Sequence, residues 1–302
     1  MVKAILLVLL VAGIAPSPGT VSLVDDTGQA ITLPRPASRL ISLAPSLTEL
    51  AYEAGAGDRL IGTVEYSDYP PAALRVPRIG TNQRLDLERI ARLKPDLILA
   101  WFHGNAIREV DQLATLGIPL FHLEPRHIPD VADAIERIGQ IANIRPIATL
   151  AATRFRDRYA SLRVQFSERP KIRVFYQIAA HPLLTINDRQ IISDVIRLCG
   201  GQNVFGNESA LVPQLSTESV VAADPDIILT ARMGKDDMDT VTAKRSPNAP
   251  DLRMWSKFSS MKAVRNGQLW LIPGDAISRP GPRILDGAEA VCSALAEARK
   301  TR

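Results

Sequence analysis

The chain has 302 residues, of which 46 % are apolar and 23 % charged, with a formal net charge of +4. That length suits two domains of roughly 100–150 residues, each able to bury its own core. The charge excess is small and scattered, so nucleic acid is not an expected partner, and no Lys/Arg-rich run marks a polybasic membrane patch.

At the N-terminus, Lys3 precedes an uncharged, mostly aliphatic run from Ala4 to Ala15, then Pro16-Ser-Pro-Gly19. Such a run is too short to span a bilayer and suits a secretory h-region; a buried N-terminal strand is the alternative. Residues 1–19 are therefore expected to be a signal peptide. No cysteine lies near the end of the run, which argues against a lipid anchor and for a soluble protein held in a bacterial periplasm.

Val21-Ser-Leu-Val24 and Ala30-Ile-Thr-Leu33 flank Asp26-Thr-Gly28, a hairpin signature. Arg39-Leu-Ile-Ser-Leu43 reads as a parallel-type strand, Leu47 to Ala54 as a helix ending at Gly55-Ala-Gly57, and Leu60 to Val64 as the next strand. Tyr66-Ser-Asp-Tyr-Pro-Pro71 is a loop rich in turn formers. A helix, a Pro-Asp turn and a strand ending at Trp101 follow, then Ile107 to Leu116, Pro119 to Leu123 and Val131 to Ala142 continue the alternation. This is the pattern of an α/β lobe with a parallel sheet. Beyond Pro146, the residues Ile147, Leu150, Ala151, Phe155, Tyr159, Leu162 and Phe166 recur at spacings of three and four. They mark one connecting helix of about 20 residues, roughly 30 Å long. Lys171 to Tyr176 opens a second run of alternating elements that ends in a helix near Leu285 to Ala298. The expected layout is a first lobe over 20–145, a linker helix over 146–169 and a second lobe over 170–302.

The two lobes share a repeat. Asp86-Leu-Glu-Arg-Ile-Ala-Arg-Leu-Lys-Pro-Asp-Leu-Ile-Leu99 aligns without a gap on Ser216-Thr-Glu-Ser-Val-Val-Ala-Ala-Asp-Pro-Asp-Ile-Ile-Leu229. A looser correspondence joins the stretches ending at Gly62 and Gly206. A supersecondary unit built twice predicts a bilobal molecule with a cleft between its halves. Glu88 and Glu218 fall in the first turn of the repeated helix, with Asp86 and Ser216 as N-caps. An acidic group there stabilises a helix by about 0.3–1 kcal/mol, which accounts for each glutamate singly. As a matched pair, one per lobe, they would also suit docking to a two-fold partner carrying arginines.

Tyr66, Tyr69, Trp101 and Phe102 lie in loops or at carboxyl ends of strands, the edge at which open α/β sheets bind ligands, and their rings suit a large flat ligand. His103 follows Trp101-Phe102 and could reach the same cleft, with a surface or hydrogen-bonded role as the favoured alternative. The four histidines, His103, His122, His127 and His181, lack metal-site spacing, and no nucleophile elbow, phosphate loop or triad stands out. No catalytic residue, metal or cofactor is expected. The two cysteines, Cys199 at a helix end and Cys292 in the last helix, form an even pair in an exported chain. They read as a disulfide closing a loop of about 90 residues, with two buried free thiols as the alternative.

Several motifs carry a family resemblance: Arg39-Leu-Ile-Ser-Leu-Ala-Pro-Ser-Leu-Thr-Glu-Leu50, Tyr66 to Pro71, Leu87 to Ile90, Lys94 to Leu97, Gly104-Asn105, Asp111 to Leu113, Leu116 to Ile118, Cys199-Gly-Gly201, Pro213 to Ser216 and Pro282 to Ile284. From about residue 39 to the C-terminus the chain resembles periplasmic substrate-binding proteins of the helical-backbone class, and among them the cobalamin-binding receptors of ABC importers. The resemblance implies an α/β fold of two parallel-sheet lobes joined by a single long backbone helix, with a corrinoid held in the cleft. It implies that Glu88 and Glu218 engage arginines of the permease dimer, and that Cys199 and Cys292 form the family's disulfide. Tyr66 and Trp101 stand at the family's corrinoid-contacting tyrosine and tryptophan. Other aromatic pocket positions are Asn82, Ile178, Leu184 and Val212 here, which thins the flat apolar lining. Asp275, Arg279 and Arg283 correspond to a cleft-edge segment suited to the polar amides of a ligand. The expected function is capture of cobalamin or a related corrinoid by a monomer and delivery to an ABC permease. Haem or a ferric siderophore is the alternative cargo on the same scaffold, and an exported enzyme the remote one.

Overall fold

The computed structural model describes residues 19–166, 168–232 and 242–301. The signal peptide expected at the N-terminus lies outside them up to residue 18. Val21–Val24 (β1) and Ala30–Leu33 (β2) pair antiparallel, the expected hairpin. Asp25 at its turn is buried and accepts hydrogen bonds from Thr27 and Gln29 and, across the fold, from the main-chain N–H of His122.

The first lobe contains Leu40–Ser42 (β3), Pro45–Glu53 (α1), Leu60–Thr63 (β4), Leu87–Leu93 (α2), Leu97–Trp101 (β5), Ile107–Thr115 (α3), Leu120–Leu123 (β6) and Ile128–Ile141 (α4). Its sheet has the order β4-β3-β5-β6, all parallel. β3 and most of β5 are buried on both faces, as near-continuous apolar runs in a covered parallel sheet must be.

Arg145–Phe166 (α5) is the backbone helix, 22 residues or roughly 33 Å long. Its buried face is Ala148, Ala151, Ala152, Phe155 and Leu162. Ile147 and Leu150, expected on that face, are instead 56 % and 53 % exposed. The cause is the close approach of α4, where a Cβ on Gly139 would lie 2.2 Å from the Cβ of Ala148. Such a seam admits only small residues, so the large aliphatic chains turn outward. Neighbouring arginines tie α5 to both lobes: Arg156 to Asp133 and Glu136 on α4, and Arg158 to Asp286 and Glu289 near the C-terminus.

The second lobe contains Ile172–Gln177 (β7), Ala179–Ala180 (β8), Leu183–Leu184 (β9), Ile191–Leu198 (α6), Gly201–Asn203 (β10), Thr217–Ala223 (α7), Ile227–Arg232 (β11), Lys244–Arg245 (β12), Lys262–Arg265 (α8), Leu269–Pro273 (β13), Gly274–Ile277 (α9) and Ile284–Lys300 (α10). Its sheet runs β10-β7-β11-β13-β12, with β12 antiparallel at the edge. β10-β7-β11-β13 therefore reproduces the order of the first lobe. Cys199, the C-cap of α6, is disulfide-bonded to Cys292 of α10, and both are fully buried.

The sequence repeat is a repeat of physical devices. Asp86 and Ser216 each cap their helix by accepting the N–H three residues on, from Arg89 and Ser219. Both helices end on a left-handed residue, Lys94 (φ 46°) and Asp224 (φ 41°). Asp96 and Asp226 then donate their N–H to the carbonyls of Arg39 and Arg173 and accept the N–H of the same residues. The guanidiniums of Arg39 and Arg173 close the device on the last carbonyls of α2 and α7. The looser correspondence holds as well, since Gly55 and Gly200 both take positive φ just past α1 and α6.

Candidate ligand site

Parallel sheets place all their strand carboxyl ends on one edge, and in both lobes that edge faces the cleft. A cavity of about 400 Å³ lies there, within the usual range of small-molecule sites. Trp101 at the end of β5 and Glu124-Pro125-Arg126 beyond β6 form the first-lobe wall. Tyr176 and Ile178 at the end of β7, Ala231 on β11 and Ile277-Ser278 beyond β13 form the opposite wall. Another groove, of about 500 Å³, runs between the hairpin and α3 and lies within the first lobe only.

Trp101 is held by its neighbours. Asn105 is buried, accepts the Trp101 N–H at 2.7 Å and donates to the Leu43 carbonyl at 2.8 Å, joining the carboxyl ends of β5 and β3. A Cβ on Gly104 would lie 1.9 Å from the indole of Trp101, so the ring rests directly on that glycine. Asn82 donates its side-chain amide to the Gly104 carbonyl and accepts from Asn105 with its own carbonyl. Its contacts make it a brace of the Trp101 loop.

Tyr66 sits at φ 64° and is 76 % exposed at the tip of the loop after β4. The flanking backbone is firmly held: the Thr48 hydroxyl lies 3.1 Å from that of Ser67, and Arg78 donates to the Ser67 carbonyl at 2.7 Å. Ile178 lines the cavity and donates its N–H to the Leu184 carbonyl, while Leu184 is also bridged to Gln214, two residues from the exposed Val212. His103 contacts Glu124 through Nδ1, and Glu124 also pairs with Arg126 at 3.3 Å. Asp275 and Arg279 face each other at 2.8 Å, and Arg279 reaches across the cleft to Glu49 and Asp68 of the first lobe. Thus Trp101 and Ile178 share the cavity wall, with Leu184 and His103 one contact behind it. Tyr66 and Val212 are exposed loop residues, and Asp275 and Arg279 spend their charges on partners within the protein.

Sequence reasoning passed over Tyr176, Glu124, Arg126, Arg189 and Gln190, all in the cavity wall. Only their position just past a strand end or turn marked them. Complete burial pushes the Tyr176 phenol well above the ordinary tyrosine range, against the opposing hydrogen bond with Ser278. The other histidines have local partners or none at the site: His122 Nδ1 lies 3.0 Å from Asp25, His127 precedes α4, and His181 is exposed before a cis proline. No group of three or more His, Cys, Asp or Glu placed to hold a metal occurs among the described residues.

Glu88 and Glu218 occupy the same position in their helices, both exposed, the Glu88 side chain to 82 %. Glu88 has Arg92 at 3.5 Å as its neighbour one turn on. Its own N–H, then the Ser216 hydroxyl and the charge of Lys257, hold the Glu218 carboxyl below the usual glutamate range.

The periplasmic binding protein family matches residues 40–276, and the chain belongs to that family. Its relatives are more particular. It is 38 % identical over 274 residues to the vitamin B12-binding protein of Vibrio cholerae, covering 91 % of this chain and 95 % of that one. It is 36 % identical over 267 residues to the vitamin B12-binding protein of Yersinia pestis, covering 88 % and 89 %. The crystal structure of the periplasmic vitamin B12 binding protein BtuF of V. cholerae superposes with a TM-score of 0.77 over 88 % of this chain and 99 % of that chain. The periplasmic haem binding protein HutB of V. cholerae shares the fold, with a TM-score of 0.69 over 85 % and 98 %, at 21 % identity.

Proposed function

We propose that this protein is a periplasmic receptor that captures cobalamin or a related corrinoid between its lobes and delivers it to the permease of an ABC importer. The observation that carries the reading is the cleft itself. Two matched sheet edges enclose a cavity with Trp101 on its wall, in a chain 38 % identical across 91 % of its length to a protein named for vitamin B12 binding. A flat macrocycle would lie against Trp101 and the aliphatic wall of Ile178 and Ile186. Tyr66 and Val212 would cover it at the mouth, and Arg126, Gln190 and Arg189 would face its polar substituents. Binding needs no chemistry from the protein.

Glu88 and Glu218 support a docking role because each is exposed on its own lobe at an equivalent place. A permease with two-fold symmetry would present arginines to both. A haem cargo keeps only the scaffold-level likeness in its favour. Titration of the purified protein with cyanocobalamin, followed by quenching of tryptophan fluorescence, should saturate at one equivalent. Haem binding in the absence of corrinoid binding would overturn the cargo assignment.

A further inference from the structure

The cleft is spanned by a set of ionic contacts whose pairing the sequence does not reveal. Glu49 on α1 of the first lobe is 2 % exposed. Its carboxylate accepts both Nε and Nη2 of Arg283, at 2.9 and 2.6 Å, and Nη1 of Arg279 at 3.1 Å. Both arginines belong to the second lobe, in the segment between α9 and α10. Arg279 also reaches Asp68 at 2.9 Å and Asp275 at 2.8 Å. The Arg283 guanidinium lies 4.2 Å from the ring centroid of Tyr69. Two guanidiniums therefore meet three carboxylates and an aromatic face at the lobe boundary, where Arg158 of α5 pairs with Asp286, three residues past Arg283.

A single helix joining two lobes leaves their relative angle to the other contacts between them, and this set adds directional ones beside the Arg158–Asp286 pair of α5. Fork-shaped contacts between a guanidinium and a buried carboxylate are directional, so they set a distance and an angle. Asp68 and Tyr69 lie in the loop that carries Tyr66, so the same contacts hold the cleft mouth. We infer that Glu49, Arg279 and Arg283 form an interlobe latch that presets the width of the cleft and the position of the Tyr66 loop. These are positioning residues, because Glu49, Arg279 and Arg283 are held by one another and by Asp68, Asp275 and Tyr69. The part of the inference that concerns ligand retention rests on the corrinoid reading; the part that concerns cleft width does not.

The test measures both separately. Spin labels on Leu74→Cys in the first lobe and Asn207→Cys in the second give an interlobe distance without ligand, since the native cysteines are disulfide-bonded. In Glu49→Gln and in Arg279→Met/Arg283→Met the distance distribution should lengthen and broaden, with an intermediate result for Arg283→Lys, which keeps charge and loses the fork. Cyanocobalamin release should accelerate by about tenfold while its association rate changes little. Arg279→Met alone keeps the Glu49–Arg283 pair and guards against a variant that fails to fold; it should give a smaller widening. A folded Glu49→Gln protein with an unchanged distance distribution overturns the latch, whatever the affinity does. A widened distribution in a protein that does not bind corrinoid keeps the latch and sinks the cargo.

Discussion

Replacing Gly104 by alanine should weaken ligand binding without unfolding the protein. The added Cβ would fall 1.9 Å from the Trp101 ring, whereas ordinary van der Waals contact begins near 3.4 Å. The indole or its loop must therefore shift by about 1.5 Å, and misplacements of that size matter at a preorganised site. Gly104 has no positive φ among the residues that require it, so its backbone accepts alanine and stability should move by under about 1 kcal/mol. Ligand contact with a displaced ring loses aromatic packing and part of the buried area, an expected cost of about 1–3 kcal/mol. That is roughly a five- to 150-fold rise in Kd. Calorimetric titration with cyanocobalamin against wild type and Trp101→Ala gives the measurement. The alanine variant should fall between the two. A Kd equal to wild type, or a melting temperature lowered as far as by a core deletion, would refute the account of how Trp101 is seated.

Other expectations can be checked on the same protein. Asp96 accepts three close donors, from the Ser38 N–H and hydroxyl and the Arg39 N–H, whereas Asp226 accepts the Arg173 N–H. Urea unfolding should therefore show Asp96→Ala costing about 3 kcal/mol and Asp226→Ala about 1.5 kcal/mol; the reverse order would contradict the bonding. Desolvation alone would raise the Asp96 carboxyl, but the bonds from Ser38 and Arg39 outweigh it and hold it below its ordinary 3.8. Its contribution is present above about pH 4 and disappears as pH falls through the depressed value. The stability gap between wild type and Asp96→Ala should thus be flat from pH 5 to 8 and narrow below 4. Reducing the Cys199–Cys292 bond, which closes a 93-residue separation, should lower stability by roughly 4 kcal/mol in denaturant titrations, less any strain. Reversal of both docking charges, Glu88→Lys with Glu218→Lys, should abolish uptake in a transport assay and leave Kd unchanged; surviving uptake would remove the docking role.

The elements that sequence patterns reveal best are those with a local cause. Asp86 and Ser216 announce helix starts because a cap bonds within three residues, and the Pro-Asp turn announces the strand that follows. The seam of α5 was read less well. The three-and-four spacing of Ile147 and Leu150 was real, yet the helix turned by one position because Gly139 on α4 admits Ala148. The cavity wall is half legible: Trp101 stands at a strand end and Ile178 follows from the family resemblance, while nothing in the neighbours of Arg189 and Tyr176 distinguishes them.

The amino-acid sequence by itself determined the two-fold repeat, the parallel α/β lobes, the connecting helix and the matched glutamates, because each follows from periodicity, capping or turn chemistry within a short stretch. Only the tertiary structure decided how the lobes meet. Glu49 and Arg283 are 234 positions apart, and Arg279 lies 211 from Asp68. Their pairing depends on the chain path through α5, which local interactions do not encode. The same is true of the cavity, whose walls come from strand ends brought together by two separate sheets.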